Sequence, residues 1–246
     1  MAKQSVKVTV FSDLACPWCY VGLKRLDKGL AALPDLSVEK EWHAFLLDWN
    51  APPYGQSIID ALKKKFGPQA PALMQRVASA GQEDGATFAN WAWRANTVKG
   101  HVLVALARRH GKSHEANQAL FMKSYEEGAN ISEAEVLLEV GRQLGLPEQE
   151  LQAALGGAEL DAELLKEVEM DDAVAKSQLR VSGVPFFLIQ AGDSKAYALS
   201  GAQPPEAFQE AVQRALREAG SSAAGAAAAG GSGAANGGAC TREGCT

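Results

Sequence analysis

Four cysteines carry the reactive chemistry of this chain, and they fall into two close pairs: Cys16 with Cys19, and Cys240 with Cys245. The first pair reads Cys16-Pro17-Trp18-Cys19 and directly follows the apolar run Val6-Lys7-Val8-Thr9-Val10-Phe11. Two cysteines separated by two residues, where a strand gives way to a helix, form a thiol–disulfide redox centre. The thiolate is the nucleophile in such exchange, and a free cysteine is mostly thiol at neutral pH. At a helix N-terminus, unpaired backbone N–H groups and the helix dipole favour a negative sulfur on Cys16. Cys19, one turn further, is placed to attack a mixed disulfide and release the substrate. Pro17 suits the first helical position and stiffens the turn, while Trp18 offers an apolar face to a bound substrate. A zinc half-site or two inert buried thiols share the C-x-x-C spacing; the strand-to-helix setting is what favours redox chemistry.

The second pair encloses Thr241-Arg242-Glu243-Gly244, a C-x4-C spacing. It follows residues 220–238, which are Gly, Ala or Ser except for Asn236. So little side-chain bulk cannot offset ordering entropy, and 220–246 reads as a flexible tail. Taken as a random coil, the 21 steps from Ala219 to Cys240 span roughly 25 Å, about the radius of a domain this size. Cys240 and Cys245 are therefore read as a secondary redox pair able to exchange with the Cys16 site. An inert end, or a share in a zinc site, are the competing readings.

The elements that must position Cys16 are legible from periodicity. Residues 6–12 read as a buried strand, followed by a helix from Pro17 with Leu23, Leu26, Leu30 and Leu33 at helical spacing. Residues 36–45 read as a second strand. The next stretch looks helical, with segments at 57–66, 68–83 and Val98–His110, and a capping box at Ser132-Glu133-Ala134-Glu135. Helical sequence returns over about 159–180. Strands at 185–189 and 196–199 flank the polar turn Ala191-Gly192-Asp193-Ser194, and a last helix covers about 204–219. The order is βαβ, a helical block, then ββα. It predicts residues 1–50 and 158–219 as one α/β domain interrupted by a helical insertion over 51–157.

The segment Phe11-Ser12-Asp13-Leu14-Ala15-Cys16-Pro17-Trp18-Cys19-Tyr20 resembles the active-site region of the DsbA-like branch of the thioredoxin superfamily. Within that branch the chain is most similar to FrnE-type proteins, cytosolic relatives with a helical insertion. Asn96-Thr97 with His101, Val181-Ser182-Gly183-Val184-Pro185-Phe186-Phe187, and Leu199-Ser200-Gly201-Ala202-Gln203 extend the likeness over residues 6–217. The C-terminal C-x4-C also resembles that of one FrnE-type protein. The resemblance implies a thioredoxin fold, a cis Val184–Pro185 bond beside the cysteines, and peptide binding along Val184. Substrate binding is thus expected at Pro17, Trp18, Val184 and Pro185. Glutathione-dependent isomerases and kappa-type transferases of the same superfamily generally carry serine at the first cysteine position. Cys16 in that place favours dithiol exchange on protein thiols and disulfides over isomerisation of a small aromatic molecule. A redox-linked holdase chaperone is a third reading. No cofactor or metal is implied; glutathione is a conceivable co-substrate, and a thioredoxin or glutathione system the electron source.

The whole chain sets outer limits. With 246 residues, 47% of them apolar and 22% charged, it can bury a substantial core as a soluble protein. A net charge of −5 gives no reason to expect binding to nucleic acid or anionic membranes. No apolar run approaches the roughly 20 residues that span a bilayer. No secretory signal precedes the first strand, so a cytoplasmic protein is expected, with repair of oxidised proteins under stress as its setting. His43, His101, His110 and His114 show no joint metal-binding spacing. His43 and His101 are candidates for the site's surroundings, and His110 and His114 for the surface. Trp91 and Trp93 read as packing for the insertion or as substrate surface, and Lys63-Lys64-Lys65 as a solvated helix face.

Overall fold

A computed structural model describes residues 4–229. Strand β1 (Ser5–Ser12) leads into helix α1 (Pro17–Ala31) and strand β2 (Ser37–Ala44). There follow β3 (Gln56–Ser57), α2 (Ile58–Phe66), α3 (Ala70–Gln82), β4 (Trp93–Arg94), α4 (Val98–Arg109) and α5 (Ser113–Phe121). Helices α6 (Ala134–Gln143), α7 (Glu148–Leu155) and α8 (Ala162–Ala173) come next, then β5 (Phe186–Gln190), β6 (Tyr197–Ser200) and α9 (Pro205–Ala229).

The main sheet has the order β2-β1-β5-β6. β1 runs parallel to β2, with Val8 opposite Lys40, and antiparallel to β5, with Val10 opposite Phe187. The β1–α1–β2 crossover and the β5–β6 hairpin are the βαβ and ββα ends expected from the periodicity. Val8 and Val10 are fully buried on β1, as are Leu23 and Leu26 of α1 and Phe208 of α9. Helices α1 and α9 pack so closely that a Cβ on Gly29 would lie 2.6 Å from the Pro205 carbonyl oxygen. Helices α4, α5 and α8 pack against β2. Trp42 of β2 is fully buried there, its indole N–H donating to His114 Nδ1 at 3.0 Å.

Four local expectations are corrected. Residues 51–157 are not all helical, because β3 pairs antiparallel with β4, Gln56 opposite Arg94 and Ser57 opposite Trp93. Two-residue strands are too short to show an alternating pattern. The expected capping box does not form: Glu133 is the N-cap of α6 without a side-chain cap, and the Ser132 hydroxyl accepts instead from the Asn96 N–H at 2.8 Å. The last helix continues ten residues beyond position 219, to Ala229. Alanine, the best helix former, lets an established helix propagate through that stretch. Finally, His114 is buried, held between Trp42 and Asp27 at 3.0 Å from its Nε2.

The insertion and the α/β unit share one hydrophobic core. It joins Val8, Val10 and Leu26 to Leu103 of α4, Phe121 of α5 and Leu137 of α6 without interruption. A smaller cluster of Phe11, Phe45, Ala175 and Val181 has Val184 and Phe186 packed against it. It underlies the segment that reaches Cys16.

Candidate redox site

Cys16 is the N-cap of α1, its backbone still extended at φ −94° and ψ 110°. Its N–H donates to the Asp13 carbonyl at 3.0 Å, and its own carbonyl accepts from the Cys19 N–H at 2.9 Å. Pro17 begins the helix, where its missing N–H costs nothing. Cys16 keeps 8% of its surface exposed, while Cys19 is fully buried. From the opposite side of the site, the cis Val184–Pro185 bond presents the Val184 carbonyl to the Cys16 thiol, Sγ to oxygen 3.6 Å. The structure thus brings together Cys16, Cys19, Val184 and Pro185, with Pro17 and Trp18 beside them. Cys240 and Cys245 lie outside the described residues.

The two thiols are electrostatically unequal. A hydrogen bond from the Cys19 thiol holds the Cys16 pKa below the ordinary thiol value, against its burial, and the backbone N–H groups of Cys19 and Trp18 add to it. Burial pushes Cys19 well above the ordinary value, and donating to Cys16 keeps its proton in place. Of the two, Cys16 ionises first. The nearby Asp13 charge disfavours both thiolates.

Asp13 anchors the Cys16 turn from within the protein. It is 1% exposed. One carboxylate oxygen accepts from the Ala15 N–H at 3.0 Å and the Thr97 hydroxyl at 2.8 Å, with His101 Nε2 at 3.4 Å. The other accepts from the Leu47 N–H at 2.7 Å. Burial alone would raise its pKa, but the His101 hydrogen bond and charge, with the two backbone donors, hold it below the ordinary value. One carboxylate thereby ties the Cys16 turn to the segment after β2 and to α4. His101 is 2% exposed and forms part of this anchor, not of an open groove.

Tyr125 and Gly22 complete the surroundings of the thiols. Tyr125 is buried, its hydroxyl donating to the Leu14 carbonyl at 3.1 Å, and burial, with the Cys16 and Cys19 charges next, pushes its pKa up. Its ring stacks on Tyr20, whose hydroxyl donates to Glu126. Gly22 faces the site's proline: an added Cβ would meet Pro185 Cγ at 2.8 Å and Phe187 Cζ at 3.2 Å. A glycine inside an otherwise good helix pattern was the available signal for that close approach. Asp13 and Tyr125 left no such signal, since their partners are remote in sequence.

His43 is not at the thiols. Its Nδ1 lies 2.8 Å from Asp171, in a cluster with Arg108, and its Nε2 lies 3.6 Å from Glu41. His110 pairs with Glu150 at 2.8 Å.

A cleft of about 960 Å³ opens beside Cys16. Ala15, Pro17 and Trp18 line it, together with Leu73 and Met74 of α3 and Trp91. Trp91 also packs edge-on against Tyr125 at 5.4 Å, the packing reading of that residue. Lys64 and Lys65, expected to be simply solvated, line this cleft.

A four-stranded mixed sheet carrying a C-x-x-C pair at the start of its first helix, with a cis-proline against the first sulfur, defines a thioredoxin-fold dithiol protein. Residues 7–213 match the family model of the DSBA-like thioredoxin domain, and the chain belongs to that family of thiol–disulfide oxidoreductases. It is 31% identical to a structure described as a probable DsbA oxidoreductase from Streptomyces coelicolor, covering 87% of this chain and 91% of that one, with a TM-score of 0.74. YwbO of Bacillus subtilis (strain 168), described as uncharacterized, is 24% identical over 214 residues, 85% of this chain and 96% of that protein. The cytosolic disulfide reductase DsbM of Pseudomonas aeruginosa shares the fold at 20% identity and a TM-score of 0.58, covering 86% of this chain and 98% of that one. No helix among the described residues is long and apolar enough to cross a membrane.

Proposed function

We propose that this protein exchanges disulfides with protein substrates through Cys16 and Cys19, as a reductase or isomerase of the FrnE type. The observation that carries this reading is the inequality of the two thiols: Cys16 stabilised as thiolate at a helix N-cap, Cys19 kept protonated behind it. In reduction, the Cys16 thiolate attacks one sulfur of a substrate disulfide. A Cys16–substrate bond forms, the substrate S–S bond breaks, and the leaving thiolate takes a proton from solvent. Cys19 then loses its proton and attacks the Cys16 sulfur, closing the Cys16–Cys19 disulfide and releasing the second substrate thiolate. The substrate gains two electrons and the dithiol loses two. An external dithiol system, of thioredoxin or glutathione chemistry, restores the reduced protein, and no further cofactor is required. In isomerisation, a thiol of the substrate itself displaces Cys16.

Substrate chain lies along Val184 and Pro185, with Trp18 and Pro17 as the apolar border. The cytoplasm is the proposed compartment, in keeping with the DsbM likeness. The Cys240/Cys245 pair is proposed as a second dithiol relaying electrons to or from Cys16. Reduction of insulin by the pre-reduced protein, in stoichiometric amount and with no other reductant present, tests these points together. Cys16→Ser should abolish it, and Cys240→Ser with Cys245→Ser should slow it without abolishing it. Insulin reduction by the Cys16→Ser variant at the parent rate would refute the reading; unchanged kinetics in the tail variant would remove the relay alone.

A further inference from the structure

The cleft beside Cys16 carries a charge pattern that names a class of substrate, an inference resting on the oxidoreductase reading above. Lys64 and Lys65 near the end of α2, and Arg76 on α3, line the cleft and are exposed. Among the described residues none of the three forms an ion pair. Lys65 instead sits over the ring of Phe66, 5.2 Å from its centroid, and that ring is itself 41% exposed. The remaining cation of the cleft, Arg94, is already neutralised by Asp48 at 2.6 Å. Three positive charges without an ion-pair partner thus line the cleft in a chain whose net charge is −5. Leu73, Met74, Trp91 and Trp18 give the same lining apolar surface.

Exposed lysines on a helix are ordinarily solvated and specify nothing. Here both helices that carry cations turn them toward the cleft that Ala15, Pro17 and Trp18 border on either side of Cys16. We propose that the cleft selects extended segments of protein substrates in which acidic side chains flank the reactive cysteine, with an apolar residue between. The carboxylates meet Lys64, Lys65 and Arg76, and the apolar residue meets Leu73 and Trp91. Unpaired cations of one sign along a low-dielectric cleft focus the field and act mainly on the association step. The discrimination therefore appears in kcat/KM and weakens as salt is added.

Two synthetic peptides decide the matter. They share one cysteine and one leucine and differ only in Asp/Glu or Lys flanks, each supplied as a mixed disulfide with 2-mercaptoethanol. At low ionic strength the parent protein should favour the acidic peptide by about 10-fold or more in kcat/KM. Added 0.5 M salt, about a 4–5 Å screening length, should shrink that preference to near unity. Lys64→Glu, Lys65→Glu and Arg76→Glu combined should reverse it, whereas Lys166→Glu, on α8 and outside the cleft, should preserve it. Equal kcat/KM for the two peptides, or a preference that survives the triple change, overturns the proposal. Loss in the triple variant of activity toward oxidised glutathione alone, with no discrimination between peptides, assigns the cations to a small acidic disulfide and also overturns it. A parent protein inactive on both peptides and on insulin refutes the oxidoreductase reading beneath it.

Discussion

The division of labour between two thiols one helical turn apart rests on single atoms. Cys16 sits at an N-cap and receives the Cys19 S–H; Cys19 is fully buried and keeps its proton. Alkylation of Cys16 should therefore rise with pH about a midpoint lower than that of an ordinary thiol. A midpoint at or above the ordinary thiol value would contradict the inequality. Asp13 adds a negative charge that works against both thiolates. Asp13→Asn should move the Cys16 midpoint to still lower pH, while losing about 1–3 kcal/mol of stability from its charge-assisted hydrogen bonds. Because the Asp13 pKa is held below its ordinary value, its stabilising contribution is present above the normal carboxylate range. It is lost as pH falls through the depressed value. Acid titration of folding should thus be less steep in Asp13→Asn than in the parent. Cys16, Cys19, Val184 and Pro185 were legible from residue type and spacing, with the family resemblance supplying the last two. Asp13 was not, because its meaning lies in Leu47, Thr97 and His101, which only the fold brings to it.

At the scale of elements, α1 is fitted between the β5 side and α9 at two glycines. Gly22 admits Pro185 and Phe187, and Gly29 admits the Pro205 carbonyl. Gly22→Ala gains helix propensity of about 1 kcal/mol, but overpacking against a proline ring costs about 1–3 kcal/mol. The clash at 2.8 Å falls on a rigid ring, so overpacking wins, and the ring's shift also disturbs the Val184 carbonyl beside Cys16. Slower disulfide exchange together with a lower denaturation midpoint is the expected result for Gly22→Ala. An unaltered exchange rate would show that the Pro185 contact does not position the site. Long periodic elements such as β1, α1 and α4 were read within a residue or two. The β3–β4 pair, α5 and α7 were not: two-residue strands are too short to alternate, while α2, as short as α5, is legible at 57–66. The extension of α9 to Ala229 shows alanine propensity prevailing over a composition that suggested a linker.

The whole molecule is not an α/β domain with an appendage. One core runs from Val8 and Leu26 through Trp42 to Phe121 and Leu137, so the helical insertion is part of what holds the sheet. Phe121, fully buried, packs edge-on against Trp42 at 6.3 Å and stacks near Tyr125 at 6.0 Å. Phe121→Ala should cost about 3–5 kcal/mol. Denaturant unfolding followed by tryptophan fluorescence and by helical circular dichroism should give one coincident transition in both parent and variant; separated transitions would show two independent units. The insertion also supplies part of the lining of the cleft beside Cys16, which links its packing to the site's chemistry. The central claim, that Cys16 is the sulfur that engages substrate and Cys19 the one that releases it, is tested most directly by trapping. Cys19→Ser, incubated reduced with a disulfide-containing protein, should accumulate a mixed disulfide whose peptide map places the substrate on Cys16. A variant that turns substrate over without any adduct, or an adduct mapped elsewhere, would contradict it.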